Sequence, residues 1–110
     1  MDEDNRKQHR IGVSLQVRIR GKDRGGKPFD EMTHSDDVSR GGCSFHTTHE
    51  LAVGAEVDVE IYRHIRSASP FITRGVVLRA TPADPGQFAV GVRFTGPHFP
   101  IYTSETTTNI

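Results

Sequence analysis

Apolar and polar residues alternate along much of this chain with the two-residue period of a strand rather than the period of a helix. Val13, Leu15, Val17 and Ile19 are interleaved with Ser14, Gln16, Arg18 and Arg20. That pattern predicts a strand with one buried face, because successive side chains of an extended chain point to opposite sides. Val57, Val59 and Ile61 alternate with Asp58 and Glu60, and Phe88, Val90, Val92 and Phe94 follow the same rule. Ile72 to Ala80 reads as another strand, with Val76, Leu78 and Ala80 on one face. Phe29 to Val38 is more polar and reads as a strand ending in a turn at Asp37. Extended structure then restarts at Cys43 and runs to Thr47.

The breaks between these segments are turn-like. Gly21, Gly25 and Gly26 surround the polar stretch Lys22 to Pro28, and Leu51-Ala52-Val53-Gly54 is an apolar corner closing on a glycine. Pro82 to Gly86 contains two prolines, each fixing its own φ and lacking an amide donor. Six strands, short connections and no helical periodicity predict an all-β domain: a small six-stranded antiparallel β-barrel spanning residues 11–96. Closure would remove the edges that an open sheet leaves available for aggregation. Residues 1–10 are expected to form an arm before the barrel, and residues 97–110 an irregular or disordered tail after it.

Composition narrows the function. The chain has 110 residues, room for one domain with a modest core. Its formal net charge of +0 argues against a general nucleic-acid binder covered in positive potential. The charge is uneven, however: from Arg6 to Lys27, eight Lys and Arg residues stand against the single acid Asp23. A local basic face suits a compact anion better than a long polyanion. Cys43 is the one cysteine, so no intrachain disulfide can form, and a buried small hydrophobe is its expected role. The N-terminus lacks the apolar stretch of a secretory signal, and no run approaches the length of a membrane span. A soluble, cytoplasmic protein without membrane contact is expected.

Two short elements carry the chemistry. Arg6-Lys7-Gln8-His9-Arg10 is R-x-x-x-R, and Asp37-Val38-Ser39-Arg40-Gly41-Gly42 is D-x-S-x-x-G. Arginines supply planar, permanently charged donors for phosphate oxygens and for the N7/O6 edge of guanine. Asp37 supplies an acceptor for the guanine N1 and N2 donors, and Ser39 a short hydroxyl. Gly42 permits a backbone angle or a close approach that a Cβ would forbid. Arg40 and Gly41 lie between them, Arg40 as a further phosphate or stacking contact. In this order, on a barrel pattern, the two elements resemble those of the PilZ domain family, which binds the bacterial second messenger cyclic di-GMP. The resemblance runs from about Arg6 to Phe94 and includes the Leu51–Gly54 corner and the Val90-Gly91-Val92-Arg93-Phe94 strand. It implies a flexible arm bearing Arg6 and Arg10 that closes over ligand held at Asp37, Ser39 and Gly42 on the barrel. It also implies a downstream protein partner or fused domain. Many members carry another arginine just before the first motif, where this chain has Asn5, and many continue into a C-terminal helix that residues 103–110 do not resemble.

Other patterns are decoys. Gly21 to Lys27 is G-x-x-x-x-G-K, but Pro28 replaces the hydroxyl residue that a phosphate-binding loop needs for magnesium. The six histidines, His46 and His49 included, complete no zinc-ligand spacing with the lone cysteine, so no metal site is expected. Ser39 has no evident His and acid partners, and an enzyme is not expected. Two rival classes remain beside a cyclic di-GMP receptor without further cofactor. One is a PilZ-like barrel serving as a protein-interaction module without ligand. The other is a barrel for single-stranded nucleic acid, disfavoured by the absence of tryptophan and the scarcity of stacking aromatics.

Overall fold

The computed structural model describes residues 14–63 and 69–100. Among the described residues six strands form: β1 (Gln16–Lys22), β2 (Pro28–Ser39), β3 (Gly42–Thr47), β4 (Glu56–Tyr62), β5 (Phe71–Pro82) and β6 (Phe88–Phe94). They close into an antiparallel barrel in the order β1-β2-β3-β6-β5-β4, with β4 pairing back onto β1. The expected all-β barrel is therefore the observed fold. Val13 and the arm residues Arg6 and Arg10 lie outside the described residues.

Alternation places the core as anticipated on most strands. Val17 and Ile19 of β1, Cys43 and Phe45 of β3, Val57, Val59 and Ile61 of β4, and Val90, Val92 and Phe94 of β6 all point inward and are buried. Leu51 from the apolar corner plugs the same core, and Gly54 turns that corner at φ +94. Of the Gly21–Lys27 segment, Gly21 and Lys22 end β1, and residues 23–27 form the β1–β2 hairpin turn. The Asp23 carboxylate accepts from the amides of Gly25 and Lys27, each at 2.9 Å.

Three local expectations need correction. First, β2 does not turn at Asp37: it continues to Ser39, and the reversal falls on Arg40 and Gly41, with Ser39 opposite Gly42. A β-bulge between Ser35 and Asp37 lets the strand bend without ending. Second, β5 buries Thr73, Gly75 and Val77, not Val76 and Leu78, and Leu78 is 53% exposed. A second bulge, between Val77 and Arg79, swaps the faces and brings Ala80 back against the core. A bulge breaks the parity on which alternation relies. Third, the segment 97–100 is irregular but not outside the barrel. Phe99 is buried at one end, its ring edge-on to Phe71 at 5.1 Å. The Phe99 amide donates to the Arg40 carbonyl at 2.9 Å, and Thr73 Oγ1 donates to the Pro97 carbonyl at 2.7 Å.

The basic stretch is also less exposed as charge than its composition suggests. Arg18 grips Asp30 with two hydrogen bonds, of 2.9 and 2.6 Å, and Arg20 reaches Glu60 at 3.2 Å. Among the described residues no helix is long and apolar enough to cross a membrane.

Candidate functional site

The β2–β3 hairpin presents the D-x-S-x-x-G motif along one wall of an open cleft of about 240 Å³. That wall consists of Asp37, Ser39, Gly41, Gly42, Cys43 and Ser44; the opposite wall consists of Leu78, Arg79, Gly91, Val92 and Arg93 from β5 and β6. Strand register explains how residues so distant in sequence meet. Asp37 pairs with Ser44, Ser44 with Gly91, and Gly91 with Arg79, giving one row across β2, β3, β6 and β5. The adjacent row runs Ser39, Gly42, Arg93, Val76. With strands about 4.8 Å apart, each row spans roughly 14 Å.

Both rows have a glycine at their centre, and each serves a close approach. A Cβ at Gly42 would sit 2.3 Å from the Val92 carbonyl oxygen, which cannot move aside. Gly42 has no positive φ, so of the two roles expected for it the close approach is the one observed. At Gly91 a Cβ would meet the Arg79 guanidinium at 2.7 Å, so the Arg79 side chain lies flat over the space that this glycine leaves. The cleft is thus a shallow trough floored by backbone, with a carboxylate at one end and a guanidinium at the other.

Each motif residue has a defined environment. Asp37 is half-buried, and its Oδ1 accepts from Ser44 Oγ at 3.0 Å. Ser39 is buried, its Oγ donating to the Gly42 carbonyl at 3.3 Å. Arg40 is exposed beside the cleft, while its carbonyl holds Phe99. Behind the wall Cys43 is buried and free, its thiol pushed up to about 12 by burial and, secondarily, by the negative charge of Asp37. No ion pair joins Arg40, Arg79 or Arg93 to a carboxylate among the described residues. His46 pairs with Asp36 at 2.9 Å, His49 stacks on Phe29 at 4.7 Å, and no group of three potential ligands occurs among the described residues.

Residues 4–99 match the sequence profile of the PilZ domain. The chain belongs to the PilZ domain family. The matched span covers the barrel, the strap that ends in Phe99 and the R-x-x-x-R segment. Among solved structures, this PilZ domain is similar to the Bacillus subtilis inhibitor of motility MotI/DgrA, with a TM-score of 0.65 and 16% identity over 80% of this chain and 41% of that one. It is also similar to K. pneumonia MrkH in its apo state, with a TM-score of 0.58 and 16% identity over 91% of this chain and 47% of that one. A second crystal structure of MrkH gives a TM-score of 0.55 and 17% identity over 79% of this chain and 40% of that one. At these identities the likeness is one of fold, and this chain spans less than half the length of each. No curated protein matches.

In this PilZ domain the cleft gathers Asp37, Ser39, Gly41 and Gly42 as the motif suggests, and leaves Arg40 at its rim. Motif reading missed the far wall. Arg93 was accessible in principle, since it occupies a solvent-side position in the regular alternation of β6. Arg79 also falls on a solvent side of β5, but only the pairing across the bulge, which sets it opposite Gly91, brings it to the cleft.

Proposed function

We propose that this PilZ domain is a receptor for cyclic di-GMP, without further cofactor, and that Arg6 and Arg10 close over a ligand seated in the β2–β3–β6–β5 cleft. The observation that carries the reading is the composition of that cleft. The D-x-S-x-x-G residues share it with Arg79 and Arg93, two cations not neutralised by carboxylates among the described residues. Asp37 would accept from guanine N1 and N2, and the arginines would take phosphate oxygens or the N7/O6 edge. Its volume of about 240 Å³ is below the ~300–1,000 Å³ of a complete small-molecule pocket. An arm that covers the ligand would supply the remainder. Ligand drives such closure only by favouring the closed state, and the closed state offers a downstream partner a changed surface. The buried, free thiol of Cys43 suits the reducing cytoplasm in which the receptor would act.

Titration calorimetry with cyclic di-GMP tests this. The unaltered chain is expected to bind, and Arg6→Ala or Arg10→Ala is expected to weaken binding by about 1–3 kcal/mol, the scale of one bidentate guanine contact, with the barrel still folded. Absence of binding by the unaltered chain would overturn the receptor reading. Unchanged affinity in both variants would overturn the role of the arm.

A further inference from the structure

The bulge in β5 places two neighbouring side chains on the cleft wall opposite the D-x-S-x-x-G motif. Val77 pairs with Val92 and Arg79 with Gly91, so Leu78 has no partner in the β5–β6 ladder. In a regular strand, consecutive side chains take opposite faces. Here Leu78 and Arg79 are both exposed and both line the cleft, because the bulge breaks that parity. Leu78 leaves 53% of its surface uncovered. Arg79 does not extend away from the sheet. Its Cγ, Cζ and Nη1 lie 3.3, 3.0 and 2.7 Å from the point that a Gly91 Cβ would occupy, so the side chain runs back across β6 and the guanidinium rests over the glycine. One face of that group lies against backbone, which leaves the other for the cleft. Among the described residues no carboxylate forms an ion pair with it.

We infer that Leu78 and Arg79 form a stacking platform for one purine of the ligand: the base lies with its face on the guanidinium plane and on the leucine beside it. This rests on the cyclic di-GMP reading above and deepens it, giving the face of Arg79 a role besides that of the donors at its edge. A purine presents a broad, uncharged π surface, which attracts a planar cation and gains by covering apolar side chain. A phosphate is satisfied by charge alone and has no use for an exposed leucine. Gly91 contributes by what it lacks. Because the guanidinium already rests on this glycine, part of its freedom is given up before ligand arrives, and less remains to be lost on binding.

Two measurements on the full chain with cyclic di-GMP test the platform, and the first needs no variant. In methyl NMR spectra, a purine stacked on Leu78 is expected to move the Leu78 methyl signals upfield through its ring current. Ile72, equally exposed but on another face of the barrel, should stay in place. The second is calorimetry of Arg79→Ala, Arg79→Lys and Arg79→Tyr. Arg79→Ala is expected to weaken binding about two- to thirtyfold, the scale of one cation–π contact. Arg79→Lys keeps the charge without the plane and is expected to fall near Arg79→Ala. Arg79→Tyr keeps a plane without the charge and is expected to recover most of the affinity. Full affinity in Arg79→Lys with loss in Arg79→Tyr, or binding that leaves the Leu78 methyls unmoved, would overturn the platform while leaving the receptor reading intact. Failure of the unaltered chain to bind would instead remove the receptor reading and this inference with it.

Discussion

The outer surface of the barrel has two sides built from similar residues to opposite effect. Across β2, β1, β4 and β5, one register row reads Asp30, Arg20, Asp58, Arg74, and the next reads Met32, Arg18, Glu60, Ile72. Signs alternate from strand to strand, and the bases are answered: Arg18 by Asp30, Arg20 by Glu60, and Arg74 by Asp58 at 3.3 Å. Across β2, β3, β6 and β5, the corresponding rows are Asp37, Ser44, Gly91, Arg79 and Ser39, Gly42, Arg93, Val76. There β3 supplies serine and glycine, and β6 glycine and Arg93, where β4 supplies acids. The arginines therefore project over an open trough with no acid on the intervening strands. A count of basic residues does not show which bases are left without an acid beside them; the identity of the neighbouring strand's residues does.

The comparison can be broken most severely through Phe99. The strap that it anchors is hydrogen-bonded to the Arg40 carbonyl, at the tip of the hairpin that carries the cleft. Phe99→Ala is expected to cost about 3–5 kcal/mol, as for other buried phenylalanines, measured by urea denaturation. An effect below about 1 kcal/mol, the range of surface substitutions, would show that the strap is dispensable.

Next in size are the two cleft glycines, which should behave differently from each other. Gly42→Ala places a Cβ against the Val92 backbone oxygen and is expected to destabilise the barrel by about 1–3 kcal/mol. Gly91→Ala meets only the Arg79 side chain, which can lift away, so its stability should change by less than about 1 kcal/mol while ligand binding weakens. Equal destabilisation by the two would contradict the assignment of one glycine to backbone approach and the other to side-chain space.

The smallest effect belongs to the paired side. Hydrogen bonding to Arg18 holds the Asp30 carboxyl below its ordinary value. A depressed folded-state value means that the pair's contribution is present above the ordinary carboxylate range and is lost as pH falls through the folded value. Both groups are solvent-exposed and screened, so the slope should be shallow and should flatten further at high salt. Denaturation of the parent and Asp30→Asn between pH 2 and 6, about the carboxylate range, should show a weaker acid dependence in the variant. A parallel pH profile would remove the pair from the account.

The fold was legible in the chain because most strands obey strict alternation and because glycine and proline mark the turns. The errors cluster where that parity fails. The bulge at Asp36 hid the continuation of β2, and the bulge at Leu78 put Ala80 on the core face while Val76 and Leu78 stay off it. Phe99 escaped notice because a single aromatic between prolines has no periodicity, and only the open barrel end explains its burial. One wall of the site was readable as a contiguous motif. The other was not, since Arg79 and Arg93 join it through register between strands far apart in sequence.

The central claim is that an anionic guanine dinucleotide seats on the glycine-floored side and not on the charge-paired side. Backbone amide NMR shifts of the full chain, recorded as cyclic di-GMP is added, test it most directly. The account predicts saturable changes at Gly41, Gly42, Ser44, Arg79, Gly91 and Arg93, with Arg18, Arg20, Asp58 and Arg74 unmoved. Changes concentrated on β1 and β4, or no change at saturating ligand, would contradict it.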